Sequence, residues 1–170
     1  MHALLLFLLQ SGTPATAPAV PPACSAAEYR QFDFWVGDWE VRDPQGRVVG
    51  HNRIAPVIAG CALREEWTSA DGTNVGTSLN AYNQTDQRWH QSWVDNAGTR
   101  LDLVGALRAG AMVLEQREAR DSPGDVQRIT WTPLPDGRVR QHWQSSKDGG
   151  TTWATAFDGT YVRRPSPPRD

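Results

Sequence analysis

The stretch FDFWVGDWEV, Phe32–Val41, follows a Pro/Ala-rich segment and sets two tryptophans on either side of Gly37. In an extended chain, successive side chains point to opposite faces. Trp35, Gly37, Trp39 and Val41 then share one face, and Phe34, Val36, Asp38 and Glu40 the other. The stretch reads as the opening strand of a barrel. Glycine between two large rings removes a side chain where a strand bends sharply or another backbone comes close. Trp35, Gly37 and Trp39 are accordingly assigned structural roles at a barrel end.

Outward from this strand, turn signals recur at short intervals: DPQG from Asp43, ADGT from Ala70, NQTD from Asn83, DNAG from Asp95, RAG from Arg108, DSPGD from Asp121, PDG from Pro135 and KDGG from Lys147. Each cluster supplies the backbone freedom or fixed φ that tight hairpins need, and strands joined by short hairpins are antiparallel neighbours. Between the turns the period is two. Trp89, Gln91 and Trp93 alternate with His90, Ser92 and Val94, while Val139, Gln141 and Trp143 alternate with Arg140 and His142. Leu101, Leu103 and Leu107 form a third such set, and Trp153, Phe157 and Tyr161 a fourth. This pattern predicts an all-β fold: an antiparallel up-and-down meander of about nine or ten strands that closes to eliminate its edges. Before it, Ser25–Phe32 (SAAEYRQF) predicts a short helix, with Ser25 as N-cap and Glu28 at the third helical position.

The ends of the chain read differently. The apolar run Ala3–Leu9, followed by small residues and prolines, has the form of a secretory signal peptide and is too short to span a membrane. Cleavage after Ala17, Ala19 or near Ala23 fits equally well, and Val20–Cys24 departs from a lipoprotein box by its two prolines. The expectation is a leader over 1–23, a barrel domain over 24–162, a Pro-rich tail over 163–170, and a periplasmic or secreted location. Cys24 and Cys61 are the two cysteines. In an oxidising compartment such a pair is most simply a disulfide; two separate buried thiols are the other reading.

A net charge of −2 with scattered basic residues gives no long-range attraction to nucleic acid or to an anionic membrane. Eight tryptophans against four phenylalanines and three tyrosines show a demand for wide, amphipathic rings. They fill a core or line a ligand.

Few chemical signatures stand out. Ser146-Lys-Asp148-Gly-Gly150-Thr-Thr152-Trp153 fits the Asp-box pattern S-x-D-x-G-x-T-W, whose single copy is a turn rather than an active site. His51, His90 and His142 offer ligand chemistry, but His90 and His142 lie opposite the tryptophan faces, so neither a metal nor a cofactor is expected. The remaining candidates are polar residues on the expected inner face: Glu65 beside Trp67, Gln91 between Trp89 and Trp93, and Gln141 beside Trp143. Buried amides and carboxyls either satisfy one another or face a cavity that takes a ligand's polar end. Glu65 there would have its pKa raised by desolvation.

The Gly-x-Trp opening, FDFWVGDWEV, resembles the calycin superfamily of lipocalins, fatty-acid-binding proteins and nitrobindin-like barrels. GCALREEWTSADG, GTSLNAYNQTDQRWHQSWVDNAG, LRAGAMVLE and WTPLPDGRVRQHWQSSKDGGTTW extend the likeness to a bacterial family of small exported proteins, the DUF1579-like, calycin-related kind, from about Cys24 to Tyr161. The resemblance implies a calycin-like barrel, an exported location and a plug role for Trp39; it brings no reaction. The expected function is binding of a small, largely apolar ligand by Glu65, Trp67, Trp89, Gln91, Trp93, Gln141 and Trp143. The alternatives are a hydrolase or isomerase using Glu65, and a filled barrel with a structural or partner-binding role.

Overall fold

A computed structural model describes residues 23–116 and 125–164. Ten strands run β1 Gly37–Arg42, β2 Val48–Val57, β3 Ala62–Ser69, β4 Val75–Asn83, β5 Arg88–Asp95, β6 Arg100–Arg108, β7 Ala111–Gln116, β8 Val126–Pro133, β9 Val139–Ser146 and β10 Ala154–Arg163. Each pairs antiparallel with its sequence neighbour, and β1 closes on β10 with Val41 opposite Tyr161. The closed ring is the expected all-β meander, with no free sheet edge in it. The leader up to residue 22, residues 117–124 with most of the DSPGD turn, and the residues after Arg164 lie outside the described residues.

The quoted opening stretch divides where the sequence reading kept it whole. Phe32–Trp35 is not strand: Trp35 N–H donates to Phe32 O at 3.1 Å and Val36 N–H to Asp33 O at 3.0 Å, making a 3₁₀ turn over Asp33–Trp35. The strand begins at Gly37, whose φ of +153° and close neighbours exclude a side chain: a Cβ there would lie 2.5 Å from an Arg163 guanidinium nitrogen. The expected helix over Ser25–Phe32 contracts to a 3₁₀ turn, Ala27–Arg30, entered from Ala26 without a side-chain cap. One 3₁₀ turn is too short for the two reciprocal bonds of a capping box.

These turns close one end of the barrel. Phe32 stacks on Trp35 with centroids 4.9 Å apart, and Trp131 meets both at 5.2 Å. Trp39 is fully buried, donates its indole N–H to Trp35 O at 2.8 Å, and carries the Arg163 guanidinium over its ring at 4.3 Å. A Cys24–Cys61 disulfide, with Cα atoms 5.0 Å apart, fastens the entering segment to the head of β3. Arg30 bonds the Gly60 carbonyl beside it.

The wall has two characters. β6, β7 and β8 point Leu101, Leu103, Met112, Leu114 and Ile129 inward, as an amphipathic sheet should. β4 is reversed. It buries Ser78 and Asn80 and leaves Val75 and Leu79 outside, 43 % and 45 % exposed, next to Val94 on β5. Register fixes this: Trp67 stands opposite Gly76, so Gly76, Ser78 and Asn80 all point inward with it.

Candidate functional site: an aromatic cup over a polar floor

The hairpins at 43–47, 70–74, 96–99 and 147–153 ring the end of the barrel opposite the plug. Below them lies a cavity of about 180 Å³, lined by Glu65, Trp67, Asn74, Gln91, Trp93, Asp95, Leu101, Ile129, Trp131, Gln141, Trp143, Phe157 and Tyr161. Its upper wall is half-buried Trp67, Trp93, Trp143 and Phe157; its floor is buried Glu65, Gln91 and Tyr161.

The rim rings are seated by their neighbours. A Cβ on Gly50 of β2 would lie 2.3 Å from the Trp67 indole, and one on Gly76 of β4 would lie 2.4 Å from that of Trp93. Both rings therefore occupy space that only glycine leaves open. Their polar atoms are engaged: Trp67 Nε1–H donates to Asn74 Oδ1 at 3.0 Å, Trp93 Nε1–H to Asp95 Oδ2 at 3.4 Å, and Trp143 Nε1–H to Gln127 Oε1 at 2.6 Å.

Glu65 is the hub of the floor. Asn52 Nδ2 donates to its Oε1 at 2.7 Å and Ser78 Oγ to its Oε2 at 2.6 Å. One branch continues from Ser78 to Asn80 Nδ2 at 2.9 Å, whose Oδ1 accepts from Gln91 Nε2 at 2.8 Å. The other runs from Asn52 Nδ2 to the Tyr161 hydroxyl at 3.1 Å, and that hydroxyl donates to Gln141 Oε1. Burial pushes the Glu65 carboxyl up to about 7, against the opposing pull of the Ser78 and Asn52 hydrogen bonds. The Tyr161 phenol is also raised, by burial first and by the charge of Glu65 second. Around Glu65 the shortage is of donors: Asn52 Oδ1 is buried without a hydrogen-bond partner, and no cation pairs with Glu65 among the described residues.

No protein-family model matches the chain, and no curated protein is similar to it. Its site is therefore read from its own atoms.

Of the residues singled out from sequence, Glu65, Trp67, Gln91, Trp93, Gln141 and Trp143 converge on the cavity. Trp89 does not. It is 1 % exposed, packs edge-on against Phe32 at 5.6 Å and donates its indole N–H to Gln31 Oε1 at 3.3 Å, so it belongs to the plug. One indole step along β5 separates the two environments. The inner face does hold polar residues, and they bond to one another; above them, among the described residues, lies the cavity.

Asn52, Ser78, Asn80 and Tyr161 complete the floor and were missed by the sequence reading. Asn52 carried a usable signal: on β2 it shares the inward face with Gly50 and Ile54, opposite Trp67. The histidines lie elsewhere. His90 meets Asp86 at 2.8 Å and His142 meets Thr155 Oγ1 at 3.0 Å on the outer face. Among the described residues no three His, Cys, Asp or Glu side chains gather as a metal-binding group, and no helix is long and apolar enough to cross a membrane. The Asp-box turn is local: Asp148 accepts from Thr151 N–H, Thr152 N–H and the Thr152 hydroxyl, which hold its carboxyl down to about 2, and Trp153 donates back to Gly150 O.

Proposed function

We propose that the protein is a small-molecule-binding barrel of an oxidising compartment, whose ligand lies in the cup between the Trp67, Trp93 and Trp143 rings with its polar end on the Glu65 network. The observation that carries this reading is the arrangement itself: an unfilled space, walled by half-buried indoles whose N–H groups are already engaged, above a buried polar floor. Ligand sites combine apolar walls with a few directional polar groups in this way. Size narrows the ligand. An apolar cavity of about 150 Å³ takes up benzene, and drug-sized sites run to roughly 300–1,000 Å³, so this cavity suits a molecule of single-ring size and not an acyl chain. The disulfide favours export, and the plug around Trp39 favours membership of the calycin-related family.

Native mass spectrometry of the purified protein, followed by tryptophan-fluorescence titration with single-ring metabolites and with lipids, tests the reading. Saturable quenching or a blue shift with the rings, absent with lipids, is expected. Absence of any response to the rings contradicts it.

A second reading rests on one observation. A carboxyl near 7 is suited to general acid–base work at neutral pH, which makes Glu65 the group for a hydrolase or isomerase. Turnover on an ester, lactone and glycoside panel that vanishes in Glu65→Gln would establish it.

A further inference from the structure

The cavity has an unbalanced charge. Among the described residues its lining includes the carboxylates of Glu65 and Asp95, and no lysine, arginine or histidine. Three described arginines are committed elsewhere: Arg128 to Glu115 at 2.7 Å and the Trp153 ring at 3.9 Å, Arg140 to Asp158 at 2.7 Å, and Arg163 to the Trp39 ring at the closed end. Glu65 itself is 4 % exposed. A carboxylate offers about four acceptor positions, and the two hydrogen bonds from Asn52 and Ser78 leave the others unfilled. Buried charge without a counter-ion is costly, and among the described residues no cationic side chain supplies one to Glu65.

The walls have the same preference. An aromatic face is the negative pole of its quadrupole and attracts a cation brought within about 6 Å of the centroid. Trp67, Trp93, Trp143 and Phe157 surround the space, and the indole N–H groups, which would repel a cation, are turned to Asn74, Asp95 and Gln127. A buried carboxylate on the floor and aromatic rings on the walls describe a receptor for a cation.

We propose that the ligand of the cup is a small organic cation, a protonated or quaternary amine carrying one ring, with its charged nitrogen against Glu65 and its body among Trp67, Trp93 and Trp143. This rests on the cavity being a ligand site, and the experiment separates the two.

The full chain is titrated at about pH 8 with three matched probes, benzylamine, benzyl alcohol and benzoate, by tryptophan fluorescence and calorimetry. Benzylamine is expected to bind at least roughly tenfold more tightly than benzyl alcohol, with benzoate the weakest. In Glu65→Gln the preference for the amine collapses while benzyl alcohol binding persists. Equal or tighter binding of benzyl alcohol overturns the cation assignment and leaves the cavity as a ligand site; no binding by any probe overturns both.

If Glu65→Gln does not fold, wild-type protein carries the test with benzyltrimethylammonium, whose charge is fixed. Among the described lining residues those that titrate are Glu65, Asp95 and Tyr161; β2 and β4 set Asn52, Ile54 and Ser78 against Glu65, and these do not titrate. Partial burial raises the Asp95 carboxyl, but bonds from Thr99, Trp93 and Ala97 together outweigh it and keep it low. Tyr161 stays protonated. Affinity should therefore fall severalfold as pH drops from about 8 to about 5 and Glu65 gains its proton. An affinity unchanged across that range overturns the proposal.

Discussion

The two ends of the barrel use tryptophan for opposite purposes. At the closed end Trp35 and Trp39 are wholly buried, Trp35 packed on Phe32 and Trp131 and Trp39 edge-on to Tyr161, and Trp39 Nε1–H is spent on the backbone carbonyl of Trp35. At the open end Trp67, Trp93 and Trp143 are half-buried, and their N–H groups are spent on rim side chains. A ring with no exposed surface is packing; a half-buried ring lining the cavity is a wall. The residue type is shared, and the depth of burial separates the roles.

This contrast can be broken most directly at the plug. Trp39→Ala should lose about 3–5 kcal/mol, since it removes a fully buried ring and its hydrogen bond to Trp35 O, whereas Trp93→Ala at the half-buried rim should lose only about 1–2 kcal/mol. Urea denaturation of both variants measures the difference, and equal losses would abolish the distinction. Cys24→Ser, which frees the segment bearing the plug, should lose roughly 3–4 kcal/mol and spare the cavity's response to ligand.

The floor of the cup predicts a gain. Glu65 has a folded-state carboxyl near 7 against an ordinary 4.5. Between those values the folded protein holds a proton that the unfolded chain releases, so stability is greatest below 4.5 and declines as pH rises toward 7. Glu65→Gln should remove that slope and leave the protein about 3 kcal/mol more stable than wild type near pH 8. Thermal melts across pH would show it; a variant less stable than wild type at alkaline pH would mean that the carboxylate is well compensated. Smallest is Gly76→Ala. Its Cβ would press on the half-buried Trp93 ring, which can give way, so the loss is about 1 kcal/mol and the indole swings out of the wall, which a red-shifted emission reports.

The same contrast explains what could be read from sequence. The meander was legible because the turn clusters at Asp43, Ala70, Asn83, Asp95, Arg108, Pro135 and Lys147 all fall between consecutive strands. Inward placement of Gln91 and Gln141 followed from tryptophans two residues away. β4 was opaque. By hydrophobic alternation Val75 and Leu79 belong inside, yet pairing with Trp67 turns Gly76, Ser78 and Asn80 inward, so Ser78 and Asn80 of the floor were hidden behind a register that only the neighbouring strand sets. Trp89 failed for a different reason. It does face in with Gln91 and Trp93, but its height along the barrel axis places it at the plug, and period two carries no information about height. The opening strand was overextended because Phe32–Val36 alternates like a strand while its backbone turns through a 3₁₀ bend.

The central claim, that Glu65 is a desolvated carboxylate without a counter-ion at the base of a ligand cup, is tested by following its side-chain carboxyl carbon by NMR through a pH titration, with and without benzyltrimethylammonium. A midpoint of about 7 in the free protein, displaced downward when the cation is added, is the expected result. A midpoint at the ordinary 4.5, unmoved by the cation, would contradict it.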